Sequence, residues 1–214
     1  MRRIASVLIC IAAAFALASC GNNGGGGNAT AGGGPGGLPE AMDLGNANAK
    51  VTVNEFASLG CPICAKWNNE VFQSFKAKYI DTGKVHYVFH EFLVGDQVVA
   101  ANGFLLARCA GKDKYFQVAD AVFRQEQPYL ETDQNAAKSD ALKKIAESMG
   151  MTDAQFQACV GNDAAIAALA ARSDAAANQY HVESTPTFIV NGKSYVGFQD
   201  MAAMDKMIAD AGGS

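Results

Sequence analysis

Phe56-Ala57-Ser58-Leu59-Gly60-Cys61-Pro62-Ile63-Cys64 joins two different periodicities. Upstream, Val51-Thr52-Val53-Asn54-Glu55 is β-branched and apolar enough for an interior strand covered on both faces. Downstream, Trp67, Val71, Phe72, Phe75 and Tyr79 recur at helical spacing. The two cysteines therefore sit at a strand-to-helix turn. There the unpaired N–H groups of the helix and the positive end of its dipole favour a thiolate on Cys61. Pro62 falls at an early helical position, where a missing N–H costs nothing. A Cys-x-x-Cys pair so placed can close into a disulfide and reopen by exchange: the exposed thiolate attacks, and the second thiol resolves the mixed disulfide.

Glu55 is the odd member of the strand, six residues before Cys61. If buried, its charged form is disfavoured and it can accept or pass a proton near the cysteines; on a solvated face it does neither. The residues leave both readings open.

The helix stops near Asp81-Thr82-Gly83, and Lys84 to Leu93 alternates as a second strand, so strand, helix and strand imply a parallel, right-handed crossover. His86 and His90 share one face of that strand. Four rises separate them by roughly 13 Å, too far for one ion, and no metal site is expected. Toward the C-terminus, Thr185-Pro186-Thr187-Phe188-Ile189-Val190 is a strand with proline at its head, where proline is tolerated. Asn191-Gly192 is a hairpin turn, Tyr195 to Phe198 returns as the partner strand, and Gln199 or Asp200 caps a last helix from Met201 to Ala211.

Between Asp96 and Tyr180 the period is helical. Gln97 to Ala110 and Tyr115 to Phe123 come first, and Pro128 interrupts; Ala141 to Met149 ends at Gly150, Thr152 opens a helix through Cys159, and Asp163 to Tyr180 is Ala-rich. The expected organisation is a first half at 41–95, an inserted helical cap at 96–180 and a second half at 181–214. Cys109 and Cys159 both fall in the cap, and in an exported chain two leftover cysteines of one subdomain usually pair. The loop so closed, about fifty residues, corresponds to roughly 4 kcal/mol at most in the chain-entropy model. Two buried thiols or a second redox pair are the alternatives.

The chain of 214 residues is half hydrophobic, with a net charge of −4 and no basic patch to suggest nucleic acid. Met1-Arg2-Arg3 followed by the apolar run Ile4 to Ala16 reads as an export signal over residues 1–20. Leu17-Ala18-Ser19-Cys20 resembles the lipobox of bacterial lipoproteins, which implies that Cys20 becomes a lipidated first residue; the plainer reading is a signal peptide in which Cys20 is incidental. Residues 21–40, mostly Gly and Asn, have the composition of a flexible tether.

Taken together, the Cys-Pro-Ile-Cys helix, the helical insertion and the Thr-Pro strand resemble the DsbA family of bacterial thiol-disulfide oxidoreductases. The resemblance implies an α/β thioredoxin fold with an all-helical insertion. It makes Cys61 the nucleophile, Cys64 the resolving thiol, Glu55 a buried acid, and Thr185-Pro186 a loop whose proline is cis and lies against the sulfurs. Arg108-Cys109-Ala110-Gly111 and Phe156-Gln157-Ala158-Cys159 look like the paired cysteines that some members carry in the cap. The implied activity is disulfide introduction into exported proteins, without a cofactor, on the periplasmic side of a bacterial membrane, lipid-anchored and recycled by a DsbB-like quinone-linked membrane oxidase.

One departure matters. The strong oxidants of the family have His where this chain has Ile63, which offers neither charge nor donor to the thiolate, so a milder lowering of the Cys61 pKa is expected. Thr185 before the proline is also seen in members that isomerise or reduce. An isomerase or reductase is therefore one alternative. A non-catalytic client-binding or copper-handling lipoprotein with Cys61 and Cys64 as ligands is another, although no Met or His cluster accompanies them.

Overall fold

A computed structural model describes residues 41–125 and 134–213. The export signal, Cys20, the tether and Pro128 lie outside them.

The sheet is built from the middle outward. Strand β2 (Val51–Ala57) lies parallel to β3 (Val85–Glu91), with Val51 opposite Val85 and Glu55 opposite Phe89. The crossover is helix α1, which opens as Pro62–Trp67 and continues through π-helical turns Asn68–Phe72 and Lys76–Ile80, with an α-turn Gln73–Phe75 between. Strand β4 (Thr187–Val190) runs antiparallel along the other side of β2, and β5 (Lys193–Val196) folds back on β4. The turn between them has φ of 45° at Asn191 and 88° at Gly192, the left-handed pair that a two-residue hairpin needs. Pairing starts directly after that turn, with Lys193 opposite Val190, so β5 lies two residues earlier than the apolar residues suggest. Strand β1 (Met42–Gly45) adds antiparallel to the free side of β3, in the order β1-β3-β2-β4-β5. Four residues are too few for alternation to betray β1 in the sequence.

Strand alternation divides the core in two. Val53, Glu55, Ala57, Tyr87, Phe89, Phe188 and Val190 face α1 and the C-terminal helix α7 (Met201–Asp210). Phe56, His90 and Ile189 face the other way, onto Ala176, Tyr180 and Val182. His86 and His90 are thus on the side of the sheet away from the cysteines. His86 pairs with Asp43 of β1 at 3.2 Å, and His90 stacks on Phe56 with ring centroids 4.4 Å apart.

The insertion comprises α2 (Gln97–Cys109), α3 (Tyr115–Arg124), α4 (Asn135–Ser148), α5 (Asp153–Val160) and α6 (Asp163–Tyr180). Thr152 and Gln155 form a reciprocal capping box at the start of α5, and the Asn162 side chain accepts from the Ala165 N–H to start α6. Helix α4 begins six residues ahead of the stretch that periodicity marks, because only Lys138, Leu142, Ile145 and Ala146 of it are buried. Helix α6 does more than cap: it covers the second face of the sheet, and Ser173 Oγ accepts from the Leu93 N–H at 3.0 Å. Cys109 and Cys159 are joined by a disulfide between the end of α2 and α5. Among the described residues no helix is long and apolar enough to cross a membrane.

Candidate active site

Cys61 is the N-cap of α1. Its backbone is still extended, at φ −108° and ψ 116°, so its sulfur swings over the first turn and accepts the Cys64 N–H at 3.4 Å. Thr185 and Pro186 approach from the far end of the chain through a cis peptide bond. The Thr185 carbonyl lies 3.6 Å from Cys61 Sγ, within reach of the thiol as donor. Gly197 N–H donates to the Pro186 carbonyl at 2.8 Å, which ties the proline loop to the end of β5.

Solvent reaches the two sulfurs unequally. Cys64 is fully buried and Cys61 is 7 % exposed, while Ile63 between them is 45 % exposed. Cys61 is less open than its position at the turn suggests, because the Thr185-Pro186 loop lies against it. Both cysteines are free thiols here.

Their ionisation follows the geometry. The Cys64 thiol, the Thr185 side chain and the backbone N–H groups of residues 63 and 64 stabilise charge on Cys61 against its burial, and bring its pKa down to about 6. Burial, then the proximity of Cys61, pushes Cys64 well above the ordinary thiol range. One thiol is poised as an anion and its neighbour holds a proton.

Glu55 is inside, with 1 % exposure, which decides between the two readings of the sequence. Burial, joined by a smaller contribution from Cys61, raises its pKa to about 8 despite a hydrogen bond from the Tyr87 hydroxyl. Such a carboxyl exchanges protons near neutral pH from within the core.

Three further groups that the sequence analysis does not single out belong to the site. Tyr87 is in the alternating run of β3 but carries no motif. Asp96 and Lys138 form a partly buried ion pair behind the turn: Asp96 caps α2 through the Val99 N–H at 3.0 Å, accepts from Lys138 Nζ, and donates its own N–H to the Gly60 carbonyl at 2.9 Å. An Asp before a helical run signals a cap, but its pairing with Lys138 has no local signature. Among the described residues no group of three or more His, Cys, Asp or Glu side chains converges as a metal site requires.

The chain is similar to known proteins along most of its length. A Rickettsia bellii protein described as "Putative protein-disulfide oxidoreductase" is 31% identical over 174 residues, which is 79% of this chain and 65% of the relative. The "Disulfide bond formation protein D" of Bacillus subtilis is 27% identical over 163 residues, 73% of this chain and 70% of that one. The chain spans just under two thirds of the length of the Rickettsia bellii relative, and 62% of that of a Rickettsia prowazekii one. The crystal structure of Wolbachia pipientis alpha-DsbA1 superposes with a TM-score of 0.73 at 25% identity, covering 82% of this chain and 94% of the other. The fold is accordingly the thioredoxin fold with an all-helical insertion. A family model described as Thioredoxin matches residues 38–210, from just ahead of β1 to the last residue of α7, and the chain belongs to that family.

Proposed function

We propose that this chain is a thiol-disulfide oxidoreductase that introduces disulfides into exported proteins through Cys61 and Cys64. The observation that carries the reading is the split between two thiols three residues apart, one ionised down to about pH 6 and the other buried and protonated. A client thiolate attacks Cys61 Sγ of the oxidised pair; the Cys61–Cys64 bond breaks, and Cys64 leaves with the electron pair and takes a proton. The client's second thiolate then attacks the client sulfur of the mixed disulfide, and Cys61 leaves as a thiolate. The client has lost two electrons and the pair has gained them. A stable Cys61 thiolate favours the reduced form, which is what makes a disulfide a donor.

In this reading Glu55 supplies and collects the Cys64 proton, and Pro62 starts the helix whose N–H groups hold the thiolate. Ile63 offers an exposed apolar contact to clients, and the backbone ahead of Pro186, at Thr185, receives the client as an added strand. The site needs no cofactor. The names of the Rickettsia and Bacillus relatives support the chemistry. Work on exported clients places the protein on the periplasmic side of a bacterial membrane, held by lipid on Cys20, with a DsbB-like quinone-linked oxidase to restore the disulfide. The Cys109–Cys159 disulfide serves as a structural brace. A disulfide isomerase or reductase is the second reading, favoured by a Cys61 value of about 6, above the value of about 3.5 of DsbA itself.

The test is the reduction potential of the Cys61–Cys64 pair against glutathione buffers. A value toward the DsbA end, about −120 mV, is the result expected of a disulfide donor, and one near about −270 mV marks the reductant. Cys64→Ser should accumulate a mixed disulfide with glutathione and Cys61→Ser should not. A pair without a reversible couple overturns both readings.

A further inference from the structure

Closing the Cys61–Cys64 disulfide requires Cys64 to lose a proton in the core, where water does not reach. Glu55 lies on the same side of the sheet as α1, so it faces the thiols. Among the described residues, one side chain holds Glu55 there. Tyr87 stands two residues from Phe89, the register partner of Glu55, and so shares its face. Its ring is fixed among Phe72, Phe75 and Phe116, at centroid separations of 5.5, 6.3 and 6.0 Å. Those contacts would suit phenylalanine equally well. The hydroxyl is what they do not explain, and it donates to Glu55 Oε2.

We propose that Tyr87 is the positioning residue for proton transfer at Cys64, holding the Glu55 carboxyl by one oxygen and stabilising its charged form. The inference rests on the redox reading above. In re-oxidation the Glu55 carboxylate takes the proton from Cys64 Sγ; the thiolate so formed attacks Cys61 Sγ in the mixed disulfide, the new S–S bond forms, and the partner's sulfur leaves with the electron pair. In client oxidation the proton returns from Glu55 to Cys64. A desolvated carboxylate with no donor would stay protonated across the neutral range and be unable to act as the base.

The groups facing Glu55 are few. At the start of α1, Cys61 acts on Glu55 and Cys64 acts on its partner Tyr87; β3 presents Tyr87, and β4 presents Phe188 opposite Glu55. Tyr115 of α3 acts on Tyr87 but spends its own hydroxyl on Glu91, at 3.0 Å. Among the described residues Tyr87 is the one donor to Glu55, so the part of the pH response of closure that Glu55→Gln removes reports this pair.

The experiment uses the full chain with Cys61 and Cys64 reduced, mixed with excess oxidised glutathione and quenched for mass analysis between pH 6 and 10. The rate at which the glutathione adduct on Cys61 closes should rise with pH through one inflection in the unsubstituted protein, somewhat below the value of about 8 that Glu55 has beside a Cys61 thiolate, because the adduct leaves no charge on Cys61. Tyr87→Phe should move that inflection to higher pH and slow closure roughly tenfold at pH 7.5, one charged-group hydrogen bond's worth, while reaching the same alkaline plateau. Glu55→Gln should abolish the inflection, and adding Tyr87→Phe to it should change nothing further. A Tyr87→Phe profile that superposes on the unsubstituted one overturns the inference, as does an equal slowing in the Glu55→Gln background. Failure of the unsubstituted protein to form any glutathione adduct would instead overturn the redox reading, and this inference with it.

Discussion

Burial drives two titratable side chains of the sheet, Glu55 and His90, in opposite directions, and the difference can be measured. Glu55 has a folded value of about 8 against an ordinary 4.5. The folded state thus binds more protons than the unfolded state between those values. Its contribution is complete below the lower one and is lost as pH rises through the upper, by on the order of a few kcal/mol. His90 runs the other way: burial brings it to about 4 from 6.5, so its contribution is lost as pH falls through that window. Comparing Glu55→Gln with the unsubstituted protein cancels the His90 effect, and working on the oxidised pair removes the Cys61 titration. The expected outcome is that Glu55→Gln gains stability relative to the unsubstituted protein from pH 5 to pH 8. Urea midpoints followed by the buried Trp67 would check it, and a difference independent of pH would refute it. The burial of Glu55 was not legible in its own residue, since strand alternation names two faces without saying what covers each.

At the scale of elements, the turn that presents Cys61 is held from behind by the start of the insertion. Ser58 Oγ donates to the Val94 carbonyl at 2.7 Å, and the Gly60 N–H returns to Ser58 Oγ at 3.2 Å. Gly95, at φ 76°, lies so close that a Cβ there would sit 1.9 Å from the Gly60 carbonyl oxygen. Gly95→Ala should therefore cost about 2 kcal/mol or more, through both the left-handed backbone and the clash. It should also move the Cys61 turn, so the midpoint of iodoacetamide alkylation against pH should rise from about 6 toward the ordinary thiol value of about 8.5. Alkylation unchanged in a stable variant would show that the turn keeps its geometry without this contact. Helices were legible where caps and apolar faces are local, as at Thr152 and Asp200. The start of α4 was not, because its first turn buries only Lys138, a residue that sequence reading assigns to solvent.

Over the whole molecule, the insertion is tied to the sheet by covalent and ionic means. Glu91 at the end of β3 is buried and accepts from Arg108 Nε and Nη2 at 2.7 and 2.8 Å, from Tyr115 at 3.0 Å and from Arg172 at 3.3 Å, joining α2, α3 and α6 to one carboxylate. Next to Arg108, the Cys109–Cys159 disulfide closes a span of 50 residues. Replacing both cysteines with alanine should lower the unfolding free energy by up to about 4 kcal/mol, read from urea midpoints. A loss too small to resolve would mean that packing and the Glu91 cluster hold the insertion unaided. The sequence by itself determined the strand-turn-helix that carries Cys61 and Cys64, the crossover to β3, the helical insertion and the hairpin after Pro186. Those features depend on caps, turns and periodicity that act within a few residues. Only the tertiary structure decided that Glu55 faces the thiols, that Tyr87, 32 residues away, bonds to it, and that the histidines lie on the opposite side. These outcomes depend on which faces are brought together, and the desolvation that sets the ionisation of Glu55, Cys61 and Cys64 exists only once the elements have packed.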